Sequence, residues 1–162
     1  MQSQSTHGLF SHVPFMQYAE GKIGRVFYLR IDHGEDLHAT LRTFIEQHDI
    51  QSGIIQMVGA VKNTSIVCGP KEDRLPPDPD FHEIAPAHEI IGTGFIRKGP
   101  DGPALHLHIS AGRGDRVRIG CLRSKAEVFI VIEAVIIEFT GIALPVIHDS
   151  KTGIHLPEPE NI

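Results

Sequence analysis

The residues best suited to chemistry are His106 and His108, in the run Leu105-His106-Leu107-His108-Ile109. In a strand, residues two apart point to the same face. Both imidazoles therefore project together, while Leu105, Leu107 and Ile109 bury on the other side. Two neighbouring imidazoles can share one divalent metal, and zinc accepts nitrogen at about 2.0–2.1 Å and sulfur at about 2.3 Å. The pattern equally suits a pair of exposed or hydrogen-bonded strand histidines. Cys121 adds to the metal reading. The turn Gly112-Arg113-Gly114-Asp115 folds Arg116–Leu122 back along the histidine strand, where a thiol could lie beside both rings. Three protein ligands leave a fourth position open, as in catalytic or ligand-binding zinc sites. The alternative for Cys121 is a small buried hydrophobe, the usual role of a free cysteine.

These residues need a sheet to position them. Lys22–Asp32 alternates, with Val26, Tyr28 and Arg30 on one face and Phe27, Leu29 and Ile31 on the other, which predicts a strand. His33-Gly34-Glu35-Asp36 turns the chain. Leu37, Leu41, Phe44, Ile45 and His48 then fall at helical spacing, so 36–48 reads as an amphipathic helix. Gly53–Val61 and Thr64–Cys68 read as two strands joined by a short turn at Lys62-Asn63. Pro70–Pro86 carries five prolines with acidic residues between them and reads as a long exposed loop, with a short pairing segment near Phe81–Ile84. Strands follow at 88–98, 104–111, 116–122 and 126–139. The tail after Gly141 is proline-punctuated and wraps the surface. The fold class expected is α+β, a mainly antiparallel sheet packed with one principal α-helix.

Composition narrows the classes. The 162 residues suit one domain, with an N-terminal arm at 1–21, the domain proper at 22–140 and a tail at 141–162. Tryptophan is absent, so Ile, Val and Leu must build the core. The formal net charge of −5 argues against a nucleic-acid scaffold, which leans on clustered Lys and Arg. Two cysteines make no disulfide framework and point to a reducing compartment, the cytoplasm. The longest apolar run, Val128–Phe139, is interrupted by Glu133 and Glu138, so no membrane span is expected.

The order Gly34-Glu35-Asp36-Leu37, Val58-Gly59-Ala60-Val61, Leu105-His106-Leu107-His108-Ile109-Ser110, Ile119-Gly120-Cys121-Leu122, then Glu133 in a long apolar strand, resembles the plant and prokaryote conserved (PPC) domain. That family includes prokaryotic proteins labelled DNA-binding with a PD1-like motif, and the C-terminal part of plant AT-hook proteins. The resemblance spans about Arg25 to Phe139. It implies a mainly antiparallel α+β fold, a homotrimer and, in prokaryotic members, a metal site from the His-x-His strand plus a histidine on the next strand. That site maps onto His106 and His108. The family's Gly-Gly-His-Leu reads Ile119-Gly120-Cys121-Leu122 here, so cysteine replaces the third histidine. Glu133 matches a recurring glutamate of the last strand. It is the candidate catalytic group, as an acid–base residue or as an acceptor orienting a ligand histidine. Its other reading is a sheet-face carboxylate paired with Arg97, Arg118 or Arg123. Arg25 and Arg30 are further anion-pairing candidates.

Three functions compete. The first is a zinc-dependent site for a small molecule, by a distant similarity to acetolactate decarboxylase and its His-x-His strand. The second is DNA binding, as the family label implies. An AT-hook, however, needs an Arg-Gly-Arg-Pro core, and this chain offers Gly112-Arg113-Gly114-Asp115 with an acid and no proline. The third is a non-catalytic trimeric interaction module.

Overall fold

The structure is a computed structural model describing residues 16–162. Most of the expected N-terminal arm, including Phe10 and Phe15, lies outside the described residues. Eight strands form one antiparallel sheet: β1 (Lys22–Asp32), β2 (Gly53–Lys62), β3 (Thr64–Pro70), β4 (Pro79–Ile84), β5 (His88–Gly99), β6 (Gly102–Arg113), β7 (Arg116–Leu122) and β8 (Glu127–Thr140). Their spatial order is β1-β8-β2-β5-β6-β7-β3-β4. The helix α1 (Leu37–Gln47) covers the inner face. The architecture is α+β, as expected.

The alternation seen in the sequence decides which face is inner. Leu29 and Ile31 of β1, Ile55 and Met57 of β2, Leu107 and Ile109 of β6, and Ile132, Ala134 and Ile136 of β8 are all buried. They meet Leu37, Leu41 and Ile45, which α1 presents one turn apart. The helix starts where Asp36 accepts a hydrogen bond from the Ala39 amide at 3.0 Å, satisfying a donor the helix cannot. It stops without glycine. Asp49 takes a left-handed φ of 49°, and the amides of Asp49 and Ile50 close back onto Glu46 and Ile45. That closure buries Ile50 beneath the helix end.

The short turn at Lys62-Asn63 joins β2 and β3 as expected, but the two strands do not pair with each other. Asn63 has a left-handed φ of 52°, but β2 pairs with β5 and β8, whereas β3 pairs with β7 and β4. Both edges of β2 are occupied by longer strands, so the chain crosses to the far side of the sheet before pairing again. Alternation shows that β2 and β3 are strands but carries no information about partners. The β5–β6 and β6–β7 hairpins do form, with Gly99 opposite Gly102 and Arg113 opposite Arg116.

The longest strand, β8, bulges between its contacts to Gly59 and Ala60, where Ile130 takes a φ of 67°. Gly59 makes this possible. Its φ is 136°, and a Cβ there would lie 2.1 Å from the Val131 carbonyl oxygen.

The expected loop contains β4 at Pro79–Ile84, paired with β3 as its Phe81–Ile84 segment suggested. The tail pairs with itself: β9 (Ile142–Ala143) with β12 (Glu160–Asn161), and β10 (Val146–Asp149) with β11 (Ile154–Pro157). No helix is long and apolar enough to cross a membrane among the described residues.

Candidate metal centre

Strand register builds the site. Antiparallel partners carry side chains on the same face. Phe95 stands opposite His106, and Thr93 stands opposite His108. On the other side of β6, His108 faces Cys121, and Cys121 in turn faces Val67 of β3. The outer face of β6 thus carries both imidazoles next to the thiol.

The two Nε2 atoms are 3.1 Å apart, and the rings meet edge to face. One ligand atom from each of His106, His108 and Cys121 lies within 4.8 Å of the other two. It is the one such group among the described residues. Cys121 is buried and His108 exposed, so the cluster sits between the protein interior and an open cleft of roughly 610 Å³. Pro70, Pro77, Pro79 and Phe81 from the β3–β4 segment and Ile154 from the tail supply much of its wall. The loop between Pro70 and Pro86 therefore borders the site.

Arg97 sets the electronic state of the pair. Its Nη2 donates to His106 Nδ1 at 2.6 Å. A guanidinium can only donate, so Nδ1 must accept and the proton of the neutral ring must sit on Nε2. From there it points at His108 Nε2, which accepts. Burial, reinforced by Arg97, His108 and Arg123, lowers the His106 pKa to about 4. His106 is therefore neutral near pH 7. Burial raises the Cys121 pKa, while Arg123 and Arg97 work against that by favouring the thiolate. Arg97 is itself desolvated, which lowers its pKa.

The donor set fits zinc by type and by spacing, under one condition. His106 can offer its Nε2 lone pair only if the ring proton moves to Nδ1, and Arg97 must then leave Nδ1. A ligating histidine ordinarily donates its second N–H to an acceptor. Here that position meets a donor.

Glu133 lies elsewhere. It belongs to β8, three strands from β6 in the sheet order, which amounts to roughly 14 Å at normal strand spacing. It does not reach His106 within one chain, nor does it pair with any of the arginines considered for it. It accepts a hydrogen bond from the Tyr28 hydroxyl across β1–β8, and that bond raises the Tyr28 pKa. Glu133 and His108 do both line one open groove on the sheet face. Arg118 donates to the Glu83 carbonyl. Arg25 and Arg30 are both taken up internally, by Glu138 and Asp32.

Two features escaped the sequence reading. Arg97 and Arg123 surround the histidines, although the hairpin Gly99-Pro100-Asp101-Gly102 places Arg97 diagonally next to His106 once its register is followed. Arg113, Arg116 and Arg118 gather with His88 around a small pocket at the β6–β7 end, so a basic cluster does exist.

Comparison with known structures agrees with this fold. A metal-containing protein from Archaeoglobus fulgidus superposes with a TM-score of 0.79 at 29% identity, over 88% of this chain and 99% of that one. A plant- and prokaryote-conserved protein from Pyrococcus horikoshii gives 0.77 at 24% identity, over 91% and 100%. A candidate DNA-binding protein from Bacteroides thetaiotaomicron gives 0.67 at 21% identity, over 85% and 96%. No curated protein gives a significant match. Residues 18–140 match the family model of the Plants and Prokaryotes Conserved (PCC) domain, and the chain belongs to that family.

Proposed function

We propose that the protein holds one zinc ion per chain on His106, His108 and Cys121 and binds a small molecule there, as a cytoplasmic homotrimer. The observation that carries this reading is the meeting of three donor atoms within 4.8 Å beside an open cleft. Two nitrogens and a sulfur suit zinc, and three protein ligands leave a position for the small molecule. The metal-containing relative from Archaeoglobus fulgidus supports it. Zinc in such a site supplies polarisation of a carbonyl or of a water molecule. The chain's own groups do the rest. Arg97 controls which His106 nitrogen is free, and the proline-rich segment gives the cleft its apolar wall. A thiolate donor makes the ion a weaker Lewis acid than three imidazoles would, which favours ligand binding over demanding chemistry.

The trimer rests on a different observation. Val26, Tyr28, Val58, Ile91, Val117 and Ile119 are all largely exposed on the outer face of the sheet. A contiguous apolar surface of this kind is usually covered by another protein surface. Further copies of this chain are the proposed cover, and a monomer by sedimentation would remove the proposal. This face also supports a non-catalytic interaction module, should no metal bind.

Elemental analysis of protein purified without a histidine tag tests the metal. Close to one zinc per chain, lost in His106→Ala and Cys121→Ser, is expected. No zinc after zinc addition and mild dialysis would overturn the reading.

Nucleic-acid binding is the second reading. Arg113, Arg116, Arg118 and His88 cluster without a carboxylate partner among the described residues. Affinity for duplex DNA that falls steeply with salt, and drops in Arg116→Ala, would favour it. Absence of binding at low salt would remove it.

A further inference from the structure

The tail beyond Thr140 lies outside the residues that match the family model, and it carries a histidine pair of its own. In the β10–β11 hairpin His148 stands directly opposite His155. Directly opposite residues share a face, with Cβ atoms about 4.5–5.5 Å apart. Both side chains are exposed, and their ring centres lie 5.4 Å apart at an interplanar angle of 74°. Neither ring has any other ring contact, hydrogen bond or ion pair among the described residues. The hairpin holds them in place from both ends. At the turn, Asp149 accepts from the Thr152 amide at 3.0 Å and from its hydroxyl at 2.7 Å, and the Gly153 amide donates to the Asp149 carbonyl at 2.8 Å. At the open end the Glu158 amide donates to the Pro145 carbonyl at 2.9 Å. Two imidazoles face to face add little to such a hairpin, and they repel when both are protonated. A cation that takes one nitrogen from each reverses this. With zinc–nitrogen bonds of about 2.0–2.1 Å, two rings on one tetrahedral ion have their centres roughly 5 Å apart. The observed separation already fits, so no backbone movement is needed.

We propose that His148 and His155 form a second metal site, for a borderline divalent cation such as zinc or copper(II). Imidazole suits these ions, whereas magnesium and calcium prefer oxygen donors. Two protein donors leave the remaining positions to water or to an external donor. The ion therefore exchanges readily and is lost on dialysis, which keeps this site apart from the zinc expected to stay with the purified protein. The proposal does not depend on the site at His106, His108 and Cys121. Its place in the fold adds a consequence. Ile154 precedes His155, points to the other face of the hairpin and lines the cleft. Gly153 packs so closely on the proline-rich segment that a Cβ there would lie 2.8 Å from the Pro76 Cβ. An ion that bridges β10 and β11 pins this wall of the cleft from outside.

The experiment uses the full chain without a histidine tag, after chelator treatment, and carrying His106→Ala and Cys121→Ser so that the first donor set is removed. Zinc, copper(II) and magnesium are titrated separately at neutral pH while the ring signals of His148 and His155 are followed by NMR. Zinc is expected to shift both signals together, saturating at one ion per chain, copper(II) to broaden both, and magnesium to affect neither. His148→Ala and His155→Ala should each weaken zinc binding by about tenfold or more, because the chelate is lost. Amide exchange across β10–β11 should slow when zinc is bound. The same two ring signals in the parent chain give the answer should the double variant not fold. Two results overturn the site: no saturable response of the two rings to zinc or copper(II), or an affinity unchanged in both single variants, which would mean that each histidine binds alone. Unchanged amide exchange with the ion bound overturns the pinning of the cleft wall.

Discussion

Two regions of the same sheet handle charge in opposite ways. Along β1 and β8 the charges are matched within the chain. Arg25 donates to both Glu138 carboxylate oxygens, at 2.7 and 2.6 Å, Arg30 meets Asp32, and Tyr28 donates to Glu133. Along β5, β6 and β7 they are not. Arg97 rests on a neutral imidazole, and Arg123 stands beside a buried thiol. A matched charge serves stability and leaves little for a ligand to gain. Cations without a carboxylate keep donors that a ligand can use. On the proposed reading the site lies in the β5–β7 region, and the β1–β8 region is scaffold.

The contrast breaks most sharply at the thiol. Cys121→Ser should reduce zinc from near one per chain to background, with little change in the thermal midpoint of the metal-free protein. Background zinc in the parent protein as well would place the β5–β7 region alongside the scaffold. Next in size is Gly59→Ala, which drives a Cβ into the Val131 carbonyl at a φ of 136°. It should destabilise the protein by about 3 kcal/mol or more, read by urea unfolding, as strain and overpacking combine at one half-buried position. An unchanged midpoint would mean that the β8 bulge is not held by this close approach.

Smaller effects sharpen the scaffold side. The Arg25 hydrogen bonds hold the Glu138 carboxyl below its ordinary pKa. Its folded value thus lies below its unfolded value. The stabilisation is fully present above the unfolded pKa and is lost as pH falls through the folded one. Glu138→Gln should lower stability by about 1–2 kcal/mol at neutral pH, allowing for the half-exposed arginine, and by much less in acid. Equal losses at both pH values would separate Glu138 from Arg25. Smallest is the Tyr28–Glu133 contact. Tyr28 should titrate above an ordinary phenol in ultraviolet difference spectra, and Glu133→Gln should bring it down. Zinc content should not change in that variant, and a loss of zinc would return Glu133 to the metal centre.

Much of the frame could be read from residue order. The amphipathic spacing of Leu37, Leu41 and Ile45 located the helix, and alternation located every long strand. The two glycine-rich turns did more, because a two-residue turn sets its own register. Gly114-Asp115 places Cys121 opposite His108, and Pro100-Asp101 places Phe95 opposite His106. The crossing from β2 to β3 was not legible, since a pleated strand with both edges free reads the same as one with both edges taken. The basic cluster of Arg113, Arg116, Arg118 and His88 was equally hidden, because His88 enters from another hairpin.

The local sequence therefore determined which residues share a face and which hairpin partners touch. Both follow from a side-chain period of two and from turn geometry, interactions that span a few residues. Tertiary structure alone decided that Glu133 stands three strands from the histidines and bonds to Tyr28, that Pro77, Phe81 and Ile154 close around the cleft, and that Arg97 and Arg123 have no carboxylate near them. Those facts depend on strand order and on groups far apart in the chain, which hydrophobic patterning does not encode.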